Sequence, residues 1–426
     1  MRAQLLAAGI ALAGATTLLP AQTYVIRNAT VVPVSGAQIT NGSVVIADGM
    51  IQSVGASVNA PAGATVIDGT GLFVYPGMID AGTQLGLTEI SSVPGSEDTR
   101  EIGDFNPANY ALTAVNPFSE LIPVTRVNGV TTVITSATGG MISGSAALMN
   151  LDGWTGEQMG IDNTAGMVMT YPSSGGGGFR RFGGGQSAAE RAEAMSRQER
   201  ELRQYLADAR SYAAVKGRLA QNDGGVERVN QAMEAMIPVM RGEEPAIFDV
   251  NSADQIRGVL ALADSFGIKV VIRGGRDAWR LADTLAARQI PVIVGPLTSA
   301  PSDDEPYDMI YANPGVLAKA GVTIAFQTDD AANSRNLPYN AALATAYGLP
   351  MDAAIRAVTL DAARIFGVDD RYGSLEAGKV ANVIVTTGNP LDVRTTVKHL
   401  FIRGQAVDLT DRHTRLYEQF RARPKP

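Results

Sequence analysis

The chain has 426 residues, 35 Lys and Arg against 42 Asp and Glu, and a formal charge of −7. Its length exceeds one small domain, and an acidic balance without clustered Lys and Arg argues against a nucleic-acid partner. Cysteine is absent, which excludes disulfides and thiolate chemistry, and the two histidines, His399 and His413, are too few for a multi-histidine metal site.

At the N-terminus Arg2 precedes an apolar stretch over residues 5–19 and Pro20-Ala21, the pattern of a secretory signal peptide. The stretch is shorter than the roughly 20 residues of a membrane span, and a retained anchor is the alternative reading. On the first reading the mature protein begins near Gln22, is periplasmic or secreted, and has no later transmembrane segment. Residues 24–32, 43–54 and 66–71 are Val- and Ile-rich runs broken by Gly and Asn, read as short strands with turns. Residues 381–386 and 400–407 have the same texture, so both ends of the mature chain are expected to meet in one small β-module.

Between them, strand and helix alternate. Residues 246–250 form an apolar strand, Ser252 is a good N-cap, and Ile256, Val259, Leu260, Ala263 and Phe266 follow at helical spacing up to Gly267. Residues 269–273 and 291–294 are further strands around a helix over 277–288. Residues 322–327 precede helices over 339–346 and 351–366. Repeated βα units with near-continuous apolar strands predict a parallel sheet covered by helices, with functional groups at the strands' C-terminal ends. Residues 172–185 are glycine-rich and precede a polar helix over 188–212. Without a Gly-Lys-Ser/Thr ending they are no phosphate loop; a flexible insertion and a lid over the barrel mouth are the two readings.

Residues 72–88, LFVYPGMIDAGTQLGLT, resemble the first barrel strand of a metal-dependent amidohydrolase, where P-G-x-I-D leads into His-x-His. NATVVPVSG and GSVVIADGMIQSVG near the start, GSLEAGKVANVIVTTGNPL at 373–391 and the 336–368 segment are similar to the imidazolonepropionase-like branch of that superfamily. The resemblance implies an α/β fold: a TIM-like (β/α)8 barrel over 76–366, with a 172–242 insertion. A small β-sandwich from 22–75 and 367–410 flanks it, and a tail helix over 411–426 follows. It also implies hydrolysis of non-peptide C–N bonds by Zn²⁺ or another divalent metal, which polarises a carbonyl and activates water.

Carried residue by residue, the metal ligands fail. Gly82 and Gln84 hold the two first-strand histidine positions, Asp249 or Asn251 and then Gly274 hold the next two, and Asn150 is the candidate for the bridging lysine. Asp329, in VTIAFQTDD, matches the family's proton-shuttling aspartate, and Asp80 also persists. No cofactor is therefore expected; oxygen ligands from Gln84, Asp249, Asn251 and Asp329 would suit only weakly held Ca²⁺ or Mg²⁺. Arg273 is a further candidate pocket residue. The leading expectation is a non-hydrolytic binding or partner subunit, working with a small molecule, an intact paralogue or a second copy of itself. The alternative is a divergent hydrolase with Asp329 as general base and a cation or arginine as electrophile; a fold-supporting hydrogen bond is the plainer role for Asp329.

Overall fold

The computed structural model describes residues 22–173, 187–221, 229–300 and 305–424. The expected leader and most of the glycine-rich run lie outside the described residues. β1 (Tyr24–Val31), β2 (Ile39–Ala47), β3 (Met50–Gly55), β4 (Thr65–Asp68) and β5 (Phe73–Pro76) come first. β6 (Met78–Thr83), β7 (Val130–Thr135), β8 (Ile142–Asn150), β9 (Gly160–Thr170) and β10 (Ala246–Val250) follow. β11 (Val270–Gly274), β12 (Val292–Val294), β13 (Ile324–Phe326), β14 (Val383–Thr386), β15 (Val397–Ile402) and β16 (Gln405–Ala406) complete the series.

The two ends of the chain share one sheet, ordered β16-β15-β14-β5-β1-β2-β3 with β4 beside β1. β5 joins them, running parallel to β1 and antiparallel to β14. Its inner face packs around Ile26, Val44, Ile46, Val74, Val383 and Phe401. Asp48 and Gly49 (φ 53° and 79°) turn β2 into β3, the left-handed pair that a tight hairpin requires. The run over 73–80 is divided between the two sheets at Gly77, where an added Cβ would lie 2.1 Å from Thr131 Oγ1.

β6 to β13 form the barrel sheet. Successive side chains of a strand point to opposite faces, and the packing follows that period. Ile247, Val271, Ile293 and Ala325 fill the interior, while Phe248, Ile272, Val292 and Phe326 face the outer helices. Thr328 N–H and Asp329 N–H donate to Gly82 O at 3.2 and 2.9 Å and tie the chain after β13 to β6. Uniform βα repetition fails at one place: β8 is antiparallel to both β7 and β9. A strand reversed in this way presents its C-terminal residue at the opposite end of the barrel.

The helix Ala253–Phe266 has the expected Ser252 cap, as a full capping box with Gln255, and ends at left-handed Gly267. The 351–366 segment breaks into Met351–Ala357 and Leu360–Ile365 around Thr359, whose hydroxyl donates to Ile355 O. The polar helix is longer than its composition suggests, Ala188–Gln221, because Leu202, Leu206 and Ala209 bury one face against the body. No helix among the described residues is long and apolar enough to cross a membrane.

The tight Gly77 junction generates a prediction. Gly77→Ala overpacks against Thr131 and should lower unfolding stability by about 1–3 kcal/mol. Thr131→Ala in the same chain should recover part of that loss in chemical denaturation.

Candidate functional site

The interior register that buries Ile247, Val271 and Ala325 places Asp249, Arg273 and Gln327 one layer higher, at the C-terminal mouth of the barrel. Arg273 is only 2% exposed. Its Nε donates to Asp249 Oδ1, its Nη2 to Asp249 Oδ2 at 2.6 Å, and its Nη1 to Ser136 Oγ at 2.9 Å. Burial alone pulls the pKa of this guanidinium down, but the charges of Asp249 and then Asp329 outweigh burial and leave it raised. Arg273 is therefore a fixed cation inside the barrel mouth.

This arrangement explains Gly82. A Cβ there would lie 2.3 Å from Gln327 Oε1 and 3.3 Å from Arg273 Cδ, so the volume of a side chain at 82 is already occupied. Gly274 is likewise restricted: its φ is 90°, and an added Cβ would lie 2.7 Å from Asn251 Oδ1. At both glycines a side chain would require its neighbours to shift.

A cavity of about 380 Å³ opens at this mouth. Gln84, Asp249, Asn251, Arg273, Gly274 and Asp329 all line it, so the structure brings together most of the residues singled out in the sequence. Asn150 does not belong there. It is the last residue of reversed β8, pairs with Thr132 of β7 and accepts from Asn382 Nδ2 at 2.7 Å, under the barrel beside the terminal sheet. Its assignment to a bridging-ligand slot is corrected by that reversal. Ser136, Gln327, Asn313 and Glu305, which pairs with Arg276 at 2.7 Å, were not among the site residues expected. The interior period of β13 carries a signal for Gln327, two residues after Ala325; nothing local marks Asn313, which reaches the cavity from the helix Met309–Ala320.

Asp329 follows the last barrel strand, β13, in a left-handed conformation (φ 52°), which Asp adopts more readily than most residues. Its carboxyl group opens into the cavity, yet the protein around it withdraws enough water to push its pKa up. Repulsion from Asp249 and Asp330 adds to this, Arg273 opposes it, and the pKa settles at about 6. Asp80 is wholly buried below it. Its Oδ1 accepts from Gly82 N and Thr328 N at 3.2 and 3.1 Å, and its Oδ2 accepts from Thr328 Oγ1, so it clamps the barrel seam. Burial pushes its pKa to about 7 against those hydrogen bonds.

The donor set does not fit a divalent metal. Both Asp249 oxygens bind a guanidinium, Gly82 and Gly274 have no side chain, and a fixed positive charge stands in the cavity. Among the described residues no three or more His, Cys, Asp or Glu converge as a metal-holding group.

Asp80 makes stability depend on pH. With a folded pKa of about 7 and an unfolded value near 3.8, its contribution is complete below the unfolded value and is lost as pH rises to 7. Asp80→Asn should flatten that part of the stability profile, read as the difference in Tm from the parent across this interval.

The amidohydrolase family model matches residues 308–407. Among solved structures, an amidohydrolase from Thermotoga maritima MSB8 is 26% identical with a TM-score of 0.80, covering 90% of this chain and 99% of that one. A prolidase complexed with N-methylphosphonate-L-proline is 17% identical with a TM-score of 0.56, covering 91% and 99%. An adenosine deaminase from Xanthomonas campestris with bound Zn is 16% identical with a TM-score of 0.53, covering 91% and 93%. No curated protein sequence matches the chain. The match over residues 308–407 and the likeness of barrel and terminal sheet to the Thermotoga maritima amidohydrolase make the chain similar to the amidohydrolase superfamily.

Proposed function

We propose that this protein is an exported, non-hydrolytic member of the superfamily, whose barrel mouth binds a small molecule and which partners an intact relative. The observation that carries the reading is the guanidinium of Arg273, paired with Asp249 and packed with Gln327 over Gly82. A cation anchored there occupies space beside Gly82 and engages both oxygens of Asp249, which a metal would otherwise use. Without a Lewis acid, hydrolysis of an unactivated amide loses its main means of polarising the carbonyl. Arg273, Asp249 and Ser136 form an interlocked set of hydrogen bonds at this place.

A second reading has one observation in its favour. Asp329, with a pKa near 6, stands close enough to Arg273 for their charges to interact, the arrangement of a general base beside an electrophile. A general base contributes only about 10²–10⁴-fold, and three Arg273 N–H groups are already committed to Asp249 and Ser136. The non-hydrolytic reading is the stronger.

Metal content separates the readings from the family norm. Protein purified without tag or chelator, then offered Zn²⁺, should hold far less than one equivalent by mass spectrometry; near-stoichiometric metal would overturn the proposal. Gly82→His should gain no zinc and should lose stability, because the ring must displace Gln327 and Arg273. Turnover of an amide that disappears in Asp329→Asn would establish the second reading instead. Capture from the native envelope should return an intact relative, and return of the protein alone would count against the partner role.

A further inference from the structure

The cavity at the barrel mouth has unmet needs of one kind. Gln327 and Asn313, each 3% exposed, line it, and Gln327 Oε1 and Asn313 Oδ1 have no hydrogen-bond partner. The amide nitrogens of the same side chains are committed, Gln327 Nε2 to Gly295 O at 2.9 Å and Asn313 Nδ2 to Gly275 O at 3.0 Å. The oxygens are therefore fixed as acceptors awaiting a donor. The Asp329 carboxylate accepts no hydrogen bond from a side chain or backbone group among the described residues, and it too is an acceptor.

The positive groups of the same cavity are already matched. Arg273 is paired through two N–H groups with Asp249, and Arg276 binds Glu305 at 2.7 Å and Ala300 O at 2.8 Å. Asp329 is left, among the described residues lining the cavity, as the charged group outside an ion pair. Pro296, Leu297 and Ile310 supply an apolar wall in the same space. A ligand that completed this site would bring donors and positive charge at one end and a short hydrocarbon body. Buried acceptors and a carboxylate in a partly dehydrated cavity reward such a ligand strongly, because each is costly to leave unmet.

We propose that the barrel mouth receives a small organic cation bearing N–H donors, an alkylammonium or alkylguanidinium, whose charged end pairs with Asp329. This rests on the reading of the mouth as a ligand-binding site and names the class of ligand. An anion is disfavoured because it would meet Asp329 and two carbonyl oxygens while finding both arginines already engaged. A quaternary ammonium brings the charge without the donors and leaves Gln327 and Asn313 unmet.

The test is calorimetric titration of the whole folded protein with agmatine, butylammonium, butyltrimethylammonium and butyrate. Agmatine or butylammonium should bind at least about tenfold more tightly than butyrate or butyltrimethylammonium, the size of one charge-assisted hydrogen-bond set. Asp329→Asn should weaken that binding about tenfold or more. If the Asn variant fails to fold, Asp329→Gly, which accepts the same left-handed backbone, carries the comparison. Tighter binding of butyrate, binding indifferent to Asp329, or no binding of any probe to folded protein would each overturn the cation assignment. A metal-loaded protein that hydrolyses amides would instead sink the underlying non-hydrolytic reading, so the two failures are distinguishable.

Discussion

A guanidinium held inside a barrel is the constraint on which the upper part of this molecule depends. Taking Arg273 out of water costs several kcal/mol, and the cost is met only because Asp249 binds it through two N–H groups and Ser136 through a third. Removing one partner from such a pair typically costs about 3–5 kcal/mol, since the other charge is left buried alone. From that pairing the neighbouring choices follow. A side chain at Gly82 would require Gln327 and Arg273 to shift, and both Asp249 oxygens already accept from Arg273.

Below this layer the barrel is held by contacts at its seam and floor. Asp80 draws Thr328 and Gly82 together at the seam, where Gly82 O also accepts from Thr328 and Asp329. The terminal sheet abuts the barrel floor, with Asn382 bridging to Asn150 and Thr132. These contacts maintain the frame whether or not the mouth performs hydrolysis. A shared fold therefore says little by itself about chemistry, which has to be argued from the mouth residues. There the charges are rearranged around an arginine, and the cavity's remaining needs are for hydrogen-bond donors.

Much of this was legible in the chain. The strand and helix periods marked β10, β11, β12 and the helix Ala253–Phe266, because apolar alternation and a Ser252 cap are local signals. The C-terminal motif marked the superfamily, and strand ends marked Asp249, Arg273 and Asp329 as mouth residues. The reversal of β8 was not legible: its nine residues are all buried, and a strand covered on both faces carries no sign of direction. Asn150 was misplaced for that reason.

By itself the sequence determined that two histidines, His399 and His413, and no cysteine are available, too few for a site of four histidines. It also determined the barrel and its terminal sheet, through local periodicity and motif. Only the tertiary structure decided what fills the place of those ligands. Arg273 meets Asp249 across adjacent strands, Ser136 from the end of β7, Gln327 from β13 and Asn313 from an outer helix. Residues 136, 249, 273, 313 and 327 share no local pattern. Closure of the barrel brings their strands together, and which charge pairs with which is a property of that closure.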